Sequence, residues 1–170
     1  MDATKPVNVC PADGAGVARA AQVIAAGGTV AVPTETVYGL AARADDDAAV
    51  AGIYRAKGRP DFNPLIVHVP DATAGEALAL FDERARALAA AFWPGALTMV
   101  LPLRQGAGLA PAVSAGLPTV ALRCPAHPVM QGLLKSCGLQ FCSFKRAIVA
   151  INDHHGVVWN VMPTFLVPAT

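Results

Sequence analysis

The chain of 170 residues lacks several features that mark common classes of protein. No run approaches the roughly 20 consecutive apolar residues that a membrane-spanning helix needs. The amino terminus, MDATKPVNVC, has no charged stretch followed by an apolar one and so does not resemble a secretion signal. The pattern GxxxxGK[ST] is absent, which excludes a Walker-type phosphate loop. We therefore expect a cytoplasmic protein that does not associate with membranes.

Charged residues and paired cysteines are also scarce. Only 15% of the residues are charged and the formal net charge is +1, which argues against a protein that coats nucleic acid through many phosphate contacts. The four cysteines form no CxxC pair, so we expect free thiols. Asp153, His154 and His155 suggest a metal site, but adjacent histidines on a strand point to opposite faces. We predict no metal site.

Short apolar runs alternate with helical periodicities, which predicts a single α/β domain. The apolar runs place strands at residues 29–32, 65–69, 98–103 and 119–122. The periodicities place helices at residues 14–26, 75–81, 82–92 and 129–137, and another from the aspartates at 45–47 to Lys57. Residues 106–114 are expected to be a flexible connection.

Residues 27–68 hold most of the side chains suited to chemistry. Where the chain leaves the first predicted strand, Thr34, Glu35 and Thr36 offer two hydroxyls and a carboxylate. Tyr38 adds an aromatic ring with a polar end. We expect this segment to line a small polar pocket.

A second group of polar residues follows the next predicted helix. Lys57 and Arg59 are separated by one glycine, which places a point charge and a planar fork near each other, a combination suited to phosphate or carboxylate. The alternative is that both cations only complement the dipole at the end of the helix. The spacing alone does not decide between these interpretations.

Two charged or titratable residues lie in or beside later strands. His68 interrupts the apolar run 65–69 and points either into a binding site or into the core as a structural group. Arg123 follows the strand at 119–122, where it either grips a carboxylate through two parallel hydrogen bonds or is a surface cation.

Four motifs in order resemble the YrdC-type family of L-threonylcarbamoyladenylate synthases: PTETVYGL, AKGRPDFNPLIVHV, FWPGALTMVLP and TVALRCPAHP. The match runs from about Gly27 to Pro128. The resemblance implies a twisted mixed sheet flanked by helices around a concave, basic cavity. It also implies a nucleotidyltransferase reaction that joins L-threonine, bicarbonate and ATP into threonylcarbamoyl-AMP and pyrophosphate, for the t6A modification of adenosine 37 in tRNA.

The same resemblance implies roles for particular residues. Lys57 and Arg59 are the expected catalytic residues, acting with Mg²⁺ on the pyrophosphate leaving group, and Arg123 is expected to hold the threonine carboxylate. The other expected substrate-binding residues are Thr34, Tyr38, Asn63, His68 and Thr119. The expected partners are a downstream threonylcarbamoyl transferase complex and tRNA or double-stranded RNA.

The resemblance ends after Gly138. The family continues with a strand and a Ser-x-Asn loop at the nucleotide site, whereas Lys145 and Ala147 stand at the serine and asparagine positions here. We therefore divide the chain into a YrdC-like domain, 1–139, and an atypical, truncated segment, 140–170, and hypothesise a reading-frame change near Leu139. Three functions remain open: an active synthase, a double-stranded RNA-binding module, and an impaired relative that only binds nucleotide or threonine.

Overall fold

A computed structural model describes residues 7–57, 64–137, 142–146 and 164–168. Within these residues the strands are β1 (Val7–Pro11), β2 (Val30–Val32), β3 (Gly39–Arg43), β4 (Ile66–His68), β5 (Thr98–Pro102), β6 (Thr119–Arg123), β7 (Cys142–Arg146) and β8 (Thr164–Pro168). The helices of the same residues are α1 (Gly14–Ala25), α2 (Asp47–Lys57), α3 (Ala72–Leu78), α4 (Glu83–Phe92), α5 (Pro111–Ser114) and α6 (Pro128–Ser136).

The strands form one mixed sheet in the order β1-β8-β2-β3-β7-β4-β6-β5. The pair β4 and β6 is parallel, and the other neighbouring pairs are antiparallel. The predicted mixed sheet with flanking helices is thus confirmed. Because β4 and β6 run in the same direction, their last residues, His68 and Arg123, lie at the same edge of the sheet as register partners.

Two strands that follow residue 139 lie inside the sheet. Strand β7 pairs with β3 on one side and β4 on the other, and β8 lies between β1 and β2. The register places Lys145 opposite Leu40 of β3. Ala147 and the Asp153 to His155 cluster lie outside the described residues, and the proposed boundary at residue 139 and the reading-frame hypothesis stay predictions.

Two hydrophobic clusters cover the two faces of the sheet. Strand β3 shows this directly, since Ala41 packs in one cluster whereas Leu40 and Ala42 pack in the other, and successive strand residues point to opposite faces. The first cluster joins α1 and α6 to β2, and its fully buried members include Ile24, Val30, Val32, Met130 and Leu133. The second cluster packs α2 to α5 against β4, β5 and β6.

Aspartates begin the helices that flank the sheet. The Asp13 carboxylate accepts a hydrogen bond from the Gly16 amide at 2.8 Å and caps α1. Of the three aspartates predicted as possible caps for α2, Asp46 is the one whose carboxylate accepts from the first turn, at 2.9 Å from Ala48 N and 3.1 Å from Ala49 N. Asp46 therefore sets the start of the helix that ends at Lys57.

Four elements before residue 139 differ from the sequence-based prediction. Residues 111–114, expected to be flexible, form the short helix α5, because Pro111 supplies the preset φ of a first helical position. Strand β3 was not predicted, since GLAAR has no β-branched residue, and β1 was not predicted either. Helix α3 begins before residue 75, because the Asp71 carboxylate caps it by accepting from the Ala74 amide at 2.8 Å.

Candidate functional site

The loop between β2 and β3 is held closed by the Thr34 hydroxyl. Thr34 Oγ1 donates to the Val37 carbonyl at 2.6 Å and accepts from the Val37 amide at 3.1 Å. The Thr36 amide also approaches Thr34 Oγ1 at 3.3 Å. The Thr34 hydroxyl thus serves the conformation of the loop, which presents the side chains of Glu35 and Thr36.

Arg123 is the polar centre of this edge of the sheet. Its residue exposure is 7%, so the interpretation of Arg123 as a surface cation is wrong. Arg123 Nε donates to the Gly95 carbonyl at 3.2 Å, which ties the guanidinium to the turn that follows α4. Arg123 Nη1 donates to Thr36 Oγ1 at 3.3 Å, and Nη2 donates to Glu35 Oε1 at 2.6 Å. Two segments distant in sequence, the turn after α4 and the loop after β2, therefore orient one guanidinium.

The donor and the acceptor can be assigned in the hydrogen bond between the two threonine hydroxyls beside Arg123. Thr34 Oγ1 and Thr36 Oγ1 are 3.1 Å apart. Because the Thr34 hydroxyl proton is donated to the Val37 carbonyl, Thr36 must be the donor in this pair. Thr36 Oγ1 consequently presents its lone pairs to Arg123, as a cation requires.

The Glu35 carboxylate is ionised next to Arg123. Partial burial by itself would raise the pKa of Glu35, but the hydrogen bond and the positive charge of Arg123, aided by nearby backbone amides, lower that pKa below 4.5. The side chains of Arg123 and Glu35 are 9% and 23% exposed, so the pair opens to solvent on the Glu35 side.

His68 lies beside Arg123 and is buried, with 4% exposure. Burial, together with the positive charge of Arg123, lowers the pKa of His68 from 6.5 to about 3. The imidazole is therefore neutral at physiological pH. The position of His68 combines both interpretations of the sequence, since the residue is in the core and next to the polar site.

The structure brings some of the predicted site residues together and separates others. Thr34 and His68 lie on elements that flank Arg123. Thr119 is at the opposite end of β6, four residues away and so about 13 Å from Arg123 along the strand. Lys57 is the half-buried last residue of α2.

The remaining predicted positions are Tyr38, Arg59 and Asn63. Tyr38 is half-buried and directly precedes β3. Arg59 and Asn63 lie outside the described residues, so their roles stay predictions.

Three groups that contact Arg123 were given no substrate-binding role from the sequence: Glu35 and Thr36, which were expected only to line a polar pocket, and the Gly95 carbonyl. A signal for the first two was present, because both belong to the polar segment that follows β2. The Gly95 carbonyl had no side-chain signal, since a backbone group is found only when the neighbouring turn is placed.

Three of the four cysteines lie among the residues whose side chains the structure describes. Cys10 and Cys124 are free thiols, and burial raises the pKa of Cys124. Among the described residues, no group of three or more His, Cys, Asp or Glu side chains is placed to hold a metal ion. In those same parts of the chain, every helix is too short or too polar to cross a membrane.

The fold and the site define a mixed α/β domain with a buried, firmly oriented arginine at the carboxyl ends of two parallel strands, an arrangement suited to binding a carboxylate. A family model named Sua5_yciO_yrdC, with the description "Telomere recombination", matches residues 22–150. The chain belongs to the Sua5/YciO/YrdC family.

Several relatives share this domain. The chain is 50% identical over 124 residues to the threonylcarbamoyl-AMP synthase of Bacillus subtilis, covering 72% of this chain and 36% of the relative. It is 49% identical over 118 residues to that of Pyrococcus abyssi, covering 68% and 34%. The crystal structure of P. abyssi Sua5 complexed with L-threonine superposes with a TM-score of 0.71 at 43% identity, over 75% of this chain and 37% of that one. The chain thus spans about a third of the length of these relatives.

Proposed function

We propose that the chain is a threonylcarbamoyl-AMP synthase, which converts L-threonine, bicarbonate and ATP into threonylcarbamoyl-AMP, pyrophosphate and water. The observation that carries the proposal is Arg123, a buried guanidinium held by three partners in a chain 43% identical to a Sua5 protein complexed with L-threonine. The names of the relatives from B. subtilis and P. abyssi support the same activity.

Arg123 is proposed to bind the threonine carboxylate. Of its five N–H groups, three donate to protein acceptors among the described residues, so two remain for a ligand. The guanidinium is oriented before the ligand arrives, so little conformational freedom is lost on binding. Thr34, Tyr38, Asn63 and His68 are proposed to line the rest of the substrate site.

Thr119 is proposed to act at a different point from Arg123. A separation of about 13 Å along β6 exceeds the length of a threonine molecule. Thr119 would therefore contact another part of the bound substrates or support the strand that carries Arg123.

Lys57 and Arg59 are proposed to stabilise the negative charge that develops on the pyrophosphate leaving group. The carbamate formed from threonine and bicarbonate attacks the α-phosphate of ATP, and the leaving group departs with the β- and γ-phosphates. Mg²⁺ enters with ATP as part of the substrate, bound to its phosphates. Lys57 is the last residue of α2 and lies two positions before Arg59, so the sequence brings two positive charges close together, as this role requires.

The product is proposed to pass, in the cytoplasm, to a threonylcarbamoyl transferase complex that modifies adenosine 37 of tRNA. This step would consume a mixed anhydride of a carbamate and AMP, which water hydrolyses readily. A partner that accepts the product directly would limit this loss.

The test is pyrophosphate release by the purified chain with ATP, Mg²⁺ and bicarbonate, comparing L-threonine with L-serine. Lys57→Ala should abolish threonine-dependent release. Lys135→Ala is the matched control, because Lys135 is also a lysine in the last turn of a helix and is exposed. Equal effects of the two substitutions would indicate that Lys57 only complements the helix dipole.

Two other outcomes would favour the alternative functions. Binding of L-threonine or ATP without pyrophosphate release indicates an impaired relative, as the sequence around Lys145 and Ala147 suggests. Affinity for double-stranded RNA that falls steeply with salt and does not depend on ATP indicates an RNA-binding module.

A further inference from the structure

Glu35 and Arg123 form a neutral pair in which each partner retains capacity for a ligand. Arg123 has two N–H groups without a protein acceptor among the described residues. Glu35 Oε1 accepts from Arg123, and the backbone amides of Glu35 and Ala126 also act on the carboxylate, so part of its roughly four lone-pair positions remains for a ligand. A guanidinium donor and a carboxylate acceptor are therefore available side by side.

The charge balance of the pair selects the kind of ligand. The side chains of Arg123 and Glu35 are 9% and 23% exposed, and the adjoining His68 carries no charge at neutral pH. A lone carboxylate bound to Arg123 would leave one net negative charge in a largely desolvated site, and a lone ammonium would leave one net positive charge. A ligand that carries both charges keeps the site neutral.

We infer that Glu35 and Arg123 together recognise the zwitterionic headgroup of an α-amino acid, with the carboxylate on Arg123 and the α-ammonium on Glu35. This inference rests on the proposed function and adds a substrate-binding role for Glu35. The geometry suits the assignment, because the amine and the carboxylate of an α-amino acid are bonded to one carbon and the two protein groups are also adjacent, at 2.6 Å.

The role of Glu35 concerns the headgroup and not the side chain of the substrate. Glu35 would distinguish threonine from the hydroxy acid that lacks the amine, whereas other groups would distinguish threonine from serine. Because Arg123 already holds one Glu35 oxygen, the carboxylate is fixed in place before the ammonium binds.

Titration calorimetry with Glu35→Gln tests the inference. Glutamine keeps the shape of the side chain and an oxygen acceptor for Arg123, but removes the negative charge. The two ligands are L-threonine and (R)-3-hydroxybutyrate, which is threonine without its amine. Wild-type protein should prefer L-threonine, and Glu35→Gln should weaken L-threonine binding by about 10- to 100-fold while leaving the affinity for (R)-3-hydroxybutyrate unchanged or higher.

Two further variants serve as controls, one for removal of a carboxylate charge outside the site and one for substitution of Glu35 that keeps the charge. Asp45→Asn makes the same change in a carboxylate that pairs with Arg43 outside the site, and should leave both affinities unchanged. Glu35→Asp keeps the charge and should keep the preference for L-threonine.

Several results would overturn the inference. Equal weakening of both ligands by Glu35→Gln would mean that Glu35 only holds Arg123 in position. Tighter binding of both would mean that Glu35 competes with the ligand carboxylate. Wild-type protein that binds both ligands equally overturns the inference alone, whereas folded wild-type protein that binds neither overturns the proposed function as well.

Discussion

His68 and Arg123 are register partners on the parallel strands β4 and β6, which places an imidazole beside a guanidinium at one edge of the sheet. Burial lowers the pKa of His68 to about 3, and the neighbouring Arg123 charge acts in the same direction. The positive charge of this edge therefore comes from Arg123 and is balanced by Glu35. The lowered pKa of His68 therefore affects two properties: the stability of the fold at acid pH and the net charge next to Arg123.

The first prediction concerns acid stability. The pKa of His68 is about 3 in the folded protein against 6.5 as its ordinary value, so the unfolded chain binds more protons between these limits and stability falls as the pH is lowered through them. From pH 7 to pH 5 the free energy of unfolding should fall by about 2 kcal/mol on this account. Urea denaturation across this range measures it.

The matching variant is His68→Gln, which has no titrating group. Its free energy of unfolding should be less sensitive to pH between 7 and 5 than that of the wild type. The lowered pKa of Glu35 makes its contribution at lower pH, where stability is lost as the pH falls through that pKa, so the two effects separate. An unchanged pH dependence in His68→Gln would contradict the assignment.

The second prediction is that Arg123→Lys impairs ligand binding. Lysine has a single ammonium group and cannot donate to Gly95, Thr36 and Glu35 while also gripping a carboxylate through a fork. The affinity for L-threonine should fall by about 10- to 100-fold, the value of one or two charge-assisted hydrogen bonds. Calorimetry gives the measurement.

Arg43→Lys is the matched control for Arg123→Lys. Arg43 also forms an ion pair with a carboxylate, that of Asp45 at 2.8 Å, but at the partly exposed end of β3. This variant should bind L-threonine as the wild type does. If both lysine variants bind as the wild type does, Arg123 does not hold the carboxylate.

The third prediction concerns the loop after β2. Thr34→Val removes the hydroxyl that donates to the Val37 carbonyl and accepts from the Val37 amide, and should lower the free energy of unfolding by about 1–2 kcal/mol. Thr34→Ser retains the hydroxyl and should keep most of the stability. Equal urea midpoints for the two variants would show that these hydrogen bonds do not hold the loop.

The fourth prediction compares two glycines of α1. A Cβ atom on Gly16 would collide with the Pro11 carbonyl oxygen, a backbone group that cannot move aside, so Gly16→Ala should lower the free energy of unfolding by about 2 kcal/mol or more. A Cβ atom on Gly14 meets nothing within 4 Å, and Gly14→Ala should change stability by about 0.5 kcal/mol or less. Thermal denaturation of both variants decides the matter, and equal melting temperatures would contradict the close packing of α1 on β1.

Much of the helical structure was predictable, because its signals are local. The apolar periodicity predicted α1, α4 and α6 to within a few residues, and an aspartate cap together with apolar spacing predicted α2. Strand β3 escaped prediction because its Ala-rich sequence has no intrinsic preference for a strand, and its place between β2 and β7 supplies the hydrogen bonds that make it one.

In the candidate site, too, some features could be predicted from the sequence and others could not. Arg123 was recognisable as a polar residue at the end of an apolar strand, and Thr34 as part of a polar turn. The pairing of Arg123 with Glu35, 88 positions away, could not be read from either segment. Thr119 and Arg123 belong to one motif, yet the extended backbone of β6 holds them about 13 Å apart.

The sequence by itself determined the family, the mixed α/β class and most of the helices, because motifs, caps and apolar spacing act over a few residues of chain. Only the tertiary structure decided that Arg123 is buried and balanced by Glu35, and that His68 is neutral beside it. The reason is physical: the charge state and orientation of a buried group depend on which strands and turns become its neighbours, and the order of strands in a sheet is set by packing over the whole domain.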